Sequence, residues 1–177
     1  MKVYIWSFFL GLVSILSQAQ PAENLKVGEK CPDFTLLDVH HPPSKNVSLA
    51  DFAGKWLIVD FWNKACVICP RSFPKLSELQ EIFRDSVHFL LIGINNTRFN
   101  AGIEGFYEKL RLRDNLQLSI AYDSVAKNAL GVRTVPHILV VDPKGVIRAV
   151  TLPDELNEEV LRSFLSGKNR PIKQKAD

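Results

Sequence analysis

Residues 59–70 read Val-Asp-Phe-Trp-Asn-Lys-Ala-Cys-Val-Ile-Cys-Pro. The run 56–62 is apolar except for Asp60, which is typical of a strand buried on both faces of a parallel sheet. After the quoted stretch, apolar residues recur at helical spacing. Cys66 and Cys69 therefore fall where a strand passes into a helix.

This position favours a reactive first cysteine. Unpaired N–H groups and the positive end of the helix macrodipole favour the thiolate form in the first turn, so Cys66 is predicted to be the nucleophile. Two intervening residues let both sulfurs lie over one turn and close a disulfide, with Cys69 the less exposed partner. A loop this short stabilises a fold only weakly. We interpret the pair as a redox centre, and a purely structural bridge is the alternative.

The N-terminus has the pattern of a secretory signal. Lys2 precedes an apolar stretch over 3–16, and Ser-Gln-Ala at 17–19 supplies small residues for cleavage. The apolar core is short for a membrane span, so we expect an exported, periplasmic or otherwise extracytoplasmic protein. A membrane anchor is the alternative if the signal is retained. An exported chain meets an oxidising compartment, where disulfides persist.

The rest of the chain suits one domain with a substantial core. The formal net charge of +3, from 22 Lys and Arg against 19 Asp and Glu, is too small to indicate nucleic-acid binding. The surplus lies at the C-terminal end, which we interpret as a solvated tail. The predicted organisation is a signal peptide over 1–19, a linker over 20–26, one domain over 27–166 and a basic, disordered tail over 167–177.

Within the domain, strand and helix patterns alternate. A strand, a helix and a strand in succession form a right-handed parallel crossover. The predicted elements are an N-terminal hairpin within 28–55, strands at 56–62, 87–94 and 116–120, a helix after the cysteines that contains Pro74, helices at 100–112, 124–130 and 154–165, and a hairpin of 135–142 and 146–150.

Together these features resemble the thioredoxin fold, in particular the TlpA-like (ResA-like) thiol-disulfide oxidoreductases exported by bacteria, in the AhpC/TSA-redoxin superfamily. The resemblance implies an α/β fold with a mixed central sheet flanked by helices, an N-terminal β-hairpin and a central βα insertion. It makes 27–166 a thioredoxin-like domain. The residues that carry it are Asp60-Phe61-Trp62, Cys66 to Cys69, Pro74, Val135-Pro136, Asp142 to Gly145 and the lead-in Gly28 to Phe34.

The resemblance also implies catalytic roles. Cys66 attacks a substrate disulfide, and Cys69 resolves the mixed disulfide. Asp60 is the buried carboxylate that takes the proton from Cys69, because burial raises the pKa of a carboxyl toward neutrality. The alternative is that Asp60 lies hydrated at the strand end without a role.

Substrate binding is implied for residues around the cysteines. Pro136 is expected to be a cis proline facing the disulfide, so that Val135 offers backbone groups to an extended substrate segment. Trp62 is also expected to contact substrate. His137 is likewise expected at the substrate site, where it tunes the Cys66 thiolate; the alternative is an ordinary strand residue.

The chain departs from the family pattern at four positions. Val67 and Ile68 stand between the cysteines where a Pro or Gly is common, so the redox potential of the family does not carry over. Ala65 replaces a frequent Trp. Cys31, in the lead-in, is expected to be a buried, inert thiol, with a third redox partner as the alternative.

The predicted function is to reduce or exchange disulfides of exported proteins, for instance apocytochromes awaiting haem, with the direction left open. The expected partners are exported protein thiols or disulfides and an upstream redox partner; no cofactor, metal or nucleic acid is expected. One alternative is a peroxiredoxin-like peroxidase, against which Asn63 argues, because such peroxidases carry Thr three residues before the reactive cysteine. Another is a redox-inactive binding module of the same fold.

Overall fold

The computed structural model describes residues 25–41, 44–95, 98–168 and 171–175. The predicted signal peptide, 1–19, and residues 20–24 of the predicted linker lie outside these ranges. Among the helices within them, none has the length and apolar character that crossing a bilayer requires.

Strands and helices alternate along the described chain. Short 3-10 turns occupy Leu49–Phe52, Arg98–Asn100 and Pro153–Glu155. The main elements are β1 (Thr35–Val39), β2 (Ser44–Ser48), β3 (Trp56–Trp62), α1 (Ile68–Phe83), β4 (Val87–Gly93), α2 (Ile103–Asp114), β5 (Ser119–Tyr122), α3 (Val125–Ala129), β6 (His137–Val141), β7 (Ile147–Thr151) and α4 (Glu158–Leu165).

β3 is the central strand of a mixed five-stranded sheet with the order β5-β4-β3-β6-β7. β3, β4 and β5 run parallel, and β6 is antiparallel to both β3 and β7. β1 and β2 form a separate antiparallel hairpin. The pair α2 and β5 adds the outer strand beyond β4 and accounts for the central insertion. This architecture confirms the predicted fold class.

Both faces of β3 are covered, which explains its apolar sequence. Ile58 and Trp62 pack with α1, α2 and α4 on what we call the helical face. Leu57 and Phe61 point the other way, toward the N-terminal hairpin and α3, on the hairpin face. Because side chains alternate along a strand, Asp60 lies on the helical face between Ile58 and Trp62.

Two helices begin later than the sequence predicted. α2 follows Gly102 in the left-handed conformation, and Asn100 lies in the 3-10 turn before it. α4 follows Asn157, whose side chain accepts a hydrogen bond from the Val160 N–H at 2.9 Å, whereas Asp154 lies in a 3-10 turn. Asn100 resembled a helix cap, and the acidic Asp154 suited the positive end of a helix dipole, but both lie upstream of the true starts.

Residues 171–175, which we call the C-terminal strap, lie alongside β7. The Lys175 N–H donates to the Val150 carbonyl at 2.7 Å, and the Gln174 side chain accepts from the Val150 N–H at 2.8 Å. Ile172 packs on the helical-face core. The sequence predicted a disordered tail over 167–177, and the strap differs from that expectation because hydrogen bonds hold it against the edge strand β7.

The buried face of α1 provides a test of the core. Leu76→Ala should lower the free energy of unfolding by about 2–5 kcal/mol, because Leu76 has no exposed surface and its loss leaves a cavity. The matched control is Leu112→Ala in α2, where the side chain is 68% exposed and the change should stay within about 0.5 kcal/mol. Guanidinium unfolding measures both, and equal losses would contradict this assignment of the core.

Candidate active site

The two cysteines lie at the junction between β3 and α1, as predicted. A disulfide joins Cys66 and Cys69, with an S–S distance of 2.00 Å. Cys69 is fully buried in the helical-face core, whereas Cys66 is partly exposed at the edge of that core. A reaction partner at the surface therefore meets Cys66 first.

The Cys66 sulfur lies beside the first turn of α1, one residue before the N-cap residue Val67. It accepts a hydrogen bond from the Cys69 N–H at 3.2 Å. In an ordinary helix cap, a side-chain oxygen accepts a hydrogen bond from the backbone amide three residues further on, and the Cys66 sulfur accepts a bond over the same spacing. The sulfur therefore lies at the positive end of α1, where a negative charge is stabilised.

Two asparagines hold the loop that leads to Cys66. The Asn63 side-chain oxygen accepts from the Cys66 N–H at 2.9 Å. Asn100, which is 3% exposed, accepts from the Lys64 N–H at 3.3 Å, and the Lys64 ammonium donates to the Ala101 carbonyl at 2.6 Å. Neither asparagine was predicted to do this. For Asn63 the sequence did hold a signal, because Asn side chains often accept a hydrogen bond from a backbone amide a few residues further on.

Asp60 is a buried carboxyl in the centre of the sheet. It is 1% exposed, and neither oxygen has a hydrogen-bond partner among the described residues. Desolvation by burial raises its pKa well above the ordinary value of 3.8. The predicted environment of Asp60 is confirmed, since its side chain is not hydrated at a strand end and shares the helical face with Cys69.

The loop before β6 also borders the helical-face core. The Val135–Pro136 peptide bond is cis, as the resemblance implied. Val135 is half-buried and packs against that core, as Cys66 does. Within the described chain, the N–H and C=O of Val135 have no hydrogen-bond partners. These groups are available to an incoming extended segment.

Two residues expected to contact substrate lie in the core instead. Trp62 is fully buried, with its ring 5.2 Å from that of Phe73, because its place in β3 turns it to the helical face. His137 is 3% exposed and lies opposite Phe61 in the ladder, with the ring centroids 6.1 Å apart. Opposite residues of an antiparallel pair share a face, so His137 points to the hairpin face, away from Cys69.

Cys31 is separated from the disulfide by the sheet. It is buried in the hairpin-face core, 6% exposed, as predicted. Burial, and then the charge of Asp33, raise the pKa of its thiol to about 12. Such a thiol holds almost no thiolate at neutral pH. Cys31 therefore lacks both the position and the ionisation of a third redox partner.

The surface beside the disulfide is apolar. Val67 and Ile68, between the cysteines, are 67% and 55% exposed. Phe99 is 82% exposed, and its neighbour Asn100 is bonded to the loop before Cys66. Within the described ranges, no group of three or more His, Cys, Asp or Glu side chains could hold a metal ion.

Residues 27–150 match the AhpC/TSA family. The chain belongs to that family. It is 27% identical over 135 residues to the thiol-disulfide oxidoreductase ResA of Geobacillus thermodenitrificans, covering 76% of this chain and 74% of that protein. It is 28% identical over 143 residues to the peroxiredoxin tpx1 of Schizosaccharomyces pombe, covering 74% of this chain and 73% of the relative.

The fold of this AhpC/TSA family member has close structural neighbours. The thioredoxin domain of a thiol-disulfide oxidoreductase from Bacteroides vulgatus superposes with a TM-score of 0.61 at 24% identity, covering 83% of this chain and all of that domain (100%). This match confirms the thioredoxin-like fold. With the family match and the ResA relative, it confirms the predicted resemblance to ResA-like proteins.

The buried Asp60 generates a pH prediction. Folded Asp60 keeps its proton at pH values where the unfolded chain, with a pKa near 3.8, has released it. Folding therefore binds a proton, and the unfolding free energy of the oxidised wild type should fall relative to Asp60→Asn as pH rises above about 4, by up to about 1.4 kcal/mol per pH unit. The difference levels off above the folded pKa.

Guanidinium unfolding between pH 4 and 8 measures this difference. Asp154→Asn, on an exposed turn, controls for the lost negative charge. A difference between wild type and Asp60→Asn that does not change with pH would show that Asp60 is not a proton-holding buried group.

Proposed function

We propose that this chain is a thiol-disulfide oxidoreductase that reduces or exchanges disulfides in exported proteins, with Cys66 as the nucleophile and Cys69 as the resolving cysteine. The observation that carries the proposal is the Cys66–Cys69 disulfide at the start of α1, with one sulfur partly exposed and the other buried. The oxidoreductase class agrees with the ResA relatives of the family.

The reactivity of Cys66 follows from its place at the helix end. When a donor dithiol reduces the disulfide, two electrons enter, Cys69 takes up one proton, and the Cys66 sulfur is left as a thiolate beside the Cys69 N–H. That amide and the positive end of α1 stabilise a thiolate. Cys69 is fully buried, so it cannot begin an exchange with a protein at the surface.

The cycle then has two displacements. The Cys66 thiolate attacks a substrate disulfide, forms a mixed disulfide and expels one substrate thiolate. The Cys69 sulfur attacks Cys66, the bond to the substrate breaks, and the second substrate thiolate leaves. The substrate gains two electrons, and the enzyme returns to its disulfide form. An upstream dithiol partner of the thioredoxin type supplies the next pair.

Once it has released its own proton, the Asp60 carboxylate serves the second displacement as a base. Cys69 has to lose a proton to attack, and it is buried away from solvent. Asp60 shares its face of the sheet and has no hydrogen-bond partner among the described residues. Burial raises the pKa of the Asp60 carboxyl toward that of a thiol, and a smaller difference between the two pKa values favours proton transfer from Cys69 to Asp60.

The surface around Cys66 suits a polypeptide substrate. The unpaired backbone groups of Val135 can pair with an extended segment, as a strand added beside the site. Exposed Val67, Ile68 and Phe99 offer apolar contacts to the residues on either side of the substrate cysteine. A protein segment with an apolar neighbourhood around its disulfide fits these features.

An extracytoplasmic location is part of the same proposal. The apolar N-terminal stretch and the small residues at 17–19 have the pattern of an export signal. Protein disulfides persist in such compartments and are rare in the cytosol. A reductase or exchange catalyst of this type would therefore meet its substrates there.

Insulin reduction by dithiothreitol tests the proposal. Wild type should accelerate it, and Cys66→Ser should return the rate to that of dithiothreitol alone, because no exposed sulfur remains to attack. Cys31→Ser is the matched control and should keep the wild-type rate, since Cys31 is buried on the other face. Equal rates for wild type and Cys66→Ser would reject the function.

A Cys69→Ser variant should hold substrates as mixed disulfides and identify them.

Peroxidase activity is the second candidate, because peroxiredoxins are relatives at similar identity. The family's peroxidases carry a Thr hydroxyl where this chain has Asn63, whose side-chain oxygen is bonded to the Cys66 N–H. We expect hydrogen peroxide with dithiothreitol and this protein to disappear at the rate of dithiothreitol alone. Turnover that depends on Cys66 would contradict this expectation.

A further inference from the structure

Besides the packing of Ile172 on the core, the C-terminal strap makes two separate kinds of polar contact. Its first contacts are with β7: besides the Val150 bonds, the Lys173 carbonyl accepts from the Thr151 hydroxyl at 2.6 Å. Its second contact is made by the Lys175 side chain, which reaches past β7 to the loop before β6. The strap therefore connects the end of the chain to the loop that carries Val135 and Pro136.

Lys175 contacts both sides of that loop. Its ammonium donates to the Thr134 carbonyl at 2.6 Å, one residue before Val135. It also lies 3.4 Å from Nδ1 of His137, one residue after Pro136. Thr134 is exposed, and β6 begins only at His137, so the ladder does not hold the loop at this point. A charge-assisted bond to Thr134 restricts the backbone next to Val135.

We propose that Lys175 is a positioning residue, which holds the Thr134–Pro136 loop in the conformation that presents the Val135 backbone to a protein substrate. This inference rests on the proposed function. A loop already held in its binding conformation loses less conformational freedom when a substrate strand pairs with it. Loss of the contact therefore weakens substrate binding and leaves the sulfur chemistry of Cys66 and Cys69 unchanged.

The chain allows the two strap contacts to be separated. Lys175→Met removes the ammonium but keeps an unbranched side chain only one atom shorter, together with the backbone bond to Val150. Lys175→Arg restores a donor to Thr134. Gln174→Ala is the matched control, because it removes a bond to β7 without touching the loop. Truncation of the strap is avoided, since it would expose the edge of β7.

The decisive measurement is steady-state insulin reduction with KM and kcat determined separately. Lys175→Met should raise KM about three- to tenfold, as expected for one lost hydrogen bond, and change kcat less than about twofold. Lys175→Arg should recover most of the KM, and Gln174→Ala should match wild type. Alkylation of reduced Cys66 by iodoacetamide, which does not use the loop, should proceed at the wild-type rate.

Amide hydrogen exchange of the loop peptide in the oxidised protein supplies a readout that needs no activity. Lys175→Met should exchange faster over 132–137, and Gln174→Ala should not. An unchanged KM in Lys175→Met overturns the positioning role, whatever the exchange shows. A KM that rises equally in Gln174→Ala also overturns it, because the effect then belongs to β7. If wild type fails to reduce insulin at all, the proposed function is lost, and the exchange data alone decide whether Lys175 holds the loop.

Discussion

Burial of β3 on both faces of the sheet is the constraint on which the redox site depends. Apolar side chains on each face fix the direction of every residue in the strand, so Asp60 is turned to the helical face, which also contains Cys69. The same strand ends where the loop to Cys66 begins. A shift of one residue in the register would turn Asp60 to the hairpin face and separate it from the cysteines.

The burial of Asp60 costs folding free energy. Asp142 is also buried, at 7% exposed, but its oxygens accept bonds from the Lys144 and Val146 amides and from Arg148. Asp60 has no such partners within the described chain. An apolar residue of similar size would remove the desolvation penalty. Asp60 thus lowers folding stability at one position on the face that also contains Cys69, and unpaired buried groups of this kind are typical of functional sites.

The parts of the site that sequence could predict are those whose contacts are local. The Cys66–Cys69 pair, its place before α1 and the burial of Asp60 follow from residues within one strand and one turn. The burial of Trp62 was also accessible, because alternation from Asp60 places both on one covered face. Local patterns do not predict the strap, since Lys175 bonds to Thr134 across 41 positions in the chain. The direction of His137 depended on pairing with Phe61, which only the sheet reveals.

Overall similarity does not separate the two chemistries of this family. The chain is 27% identical to a thiol-disulfide oxidoreductase and 28% identical to a peroxiredoxin. The junction between β3 and α1 does separate them. Cys66 has a second sulfur three residues on that closes a disulfide with it, so the pair can take electrons from a dithiol and pass them to another disulfide. Where the family's peroxidases have a hydroxyl, the Asn63 oxygen instead accepts the Cys66 N–H and shapes the loop. On a shared scaffold, these few side chains distinguish the two kinds of junction.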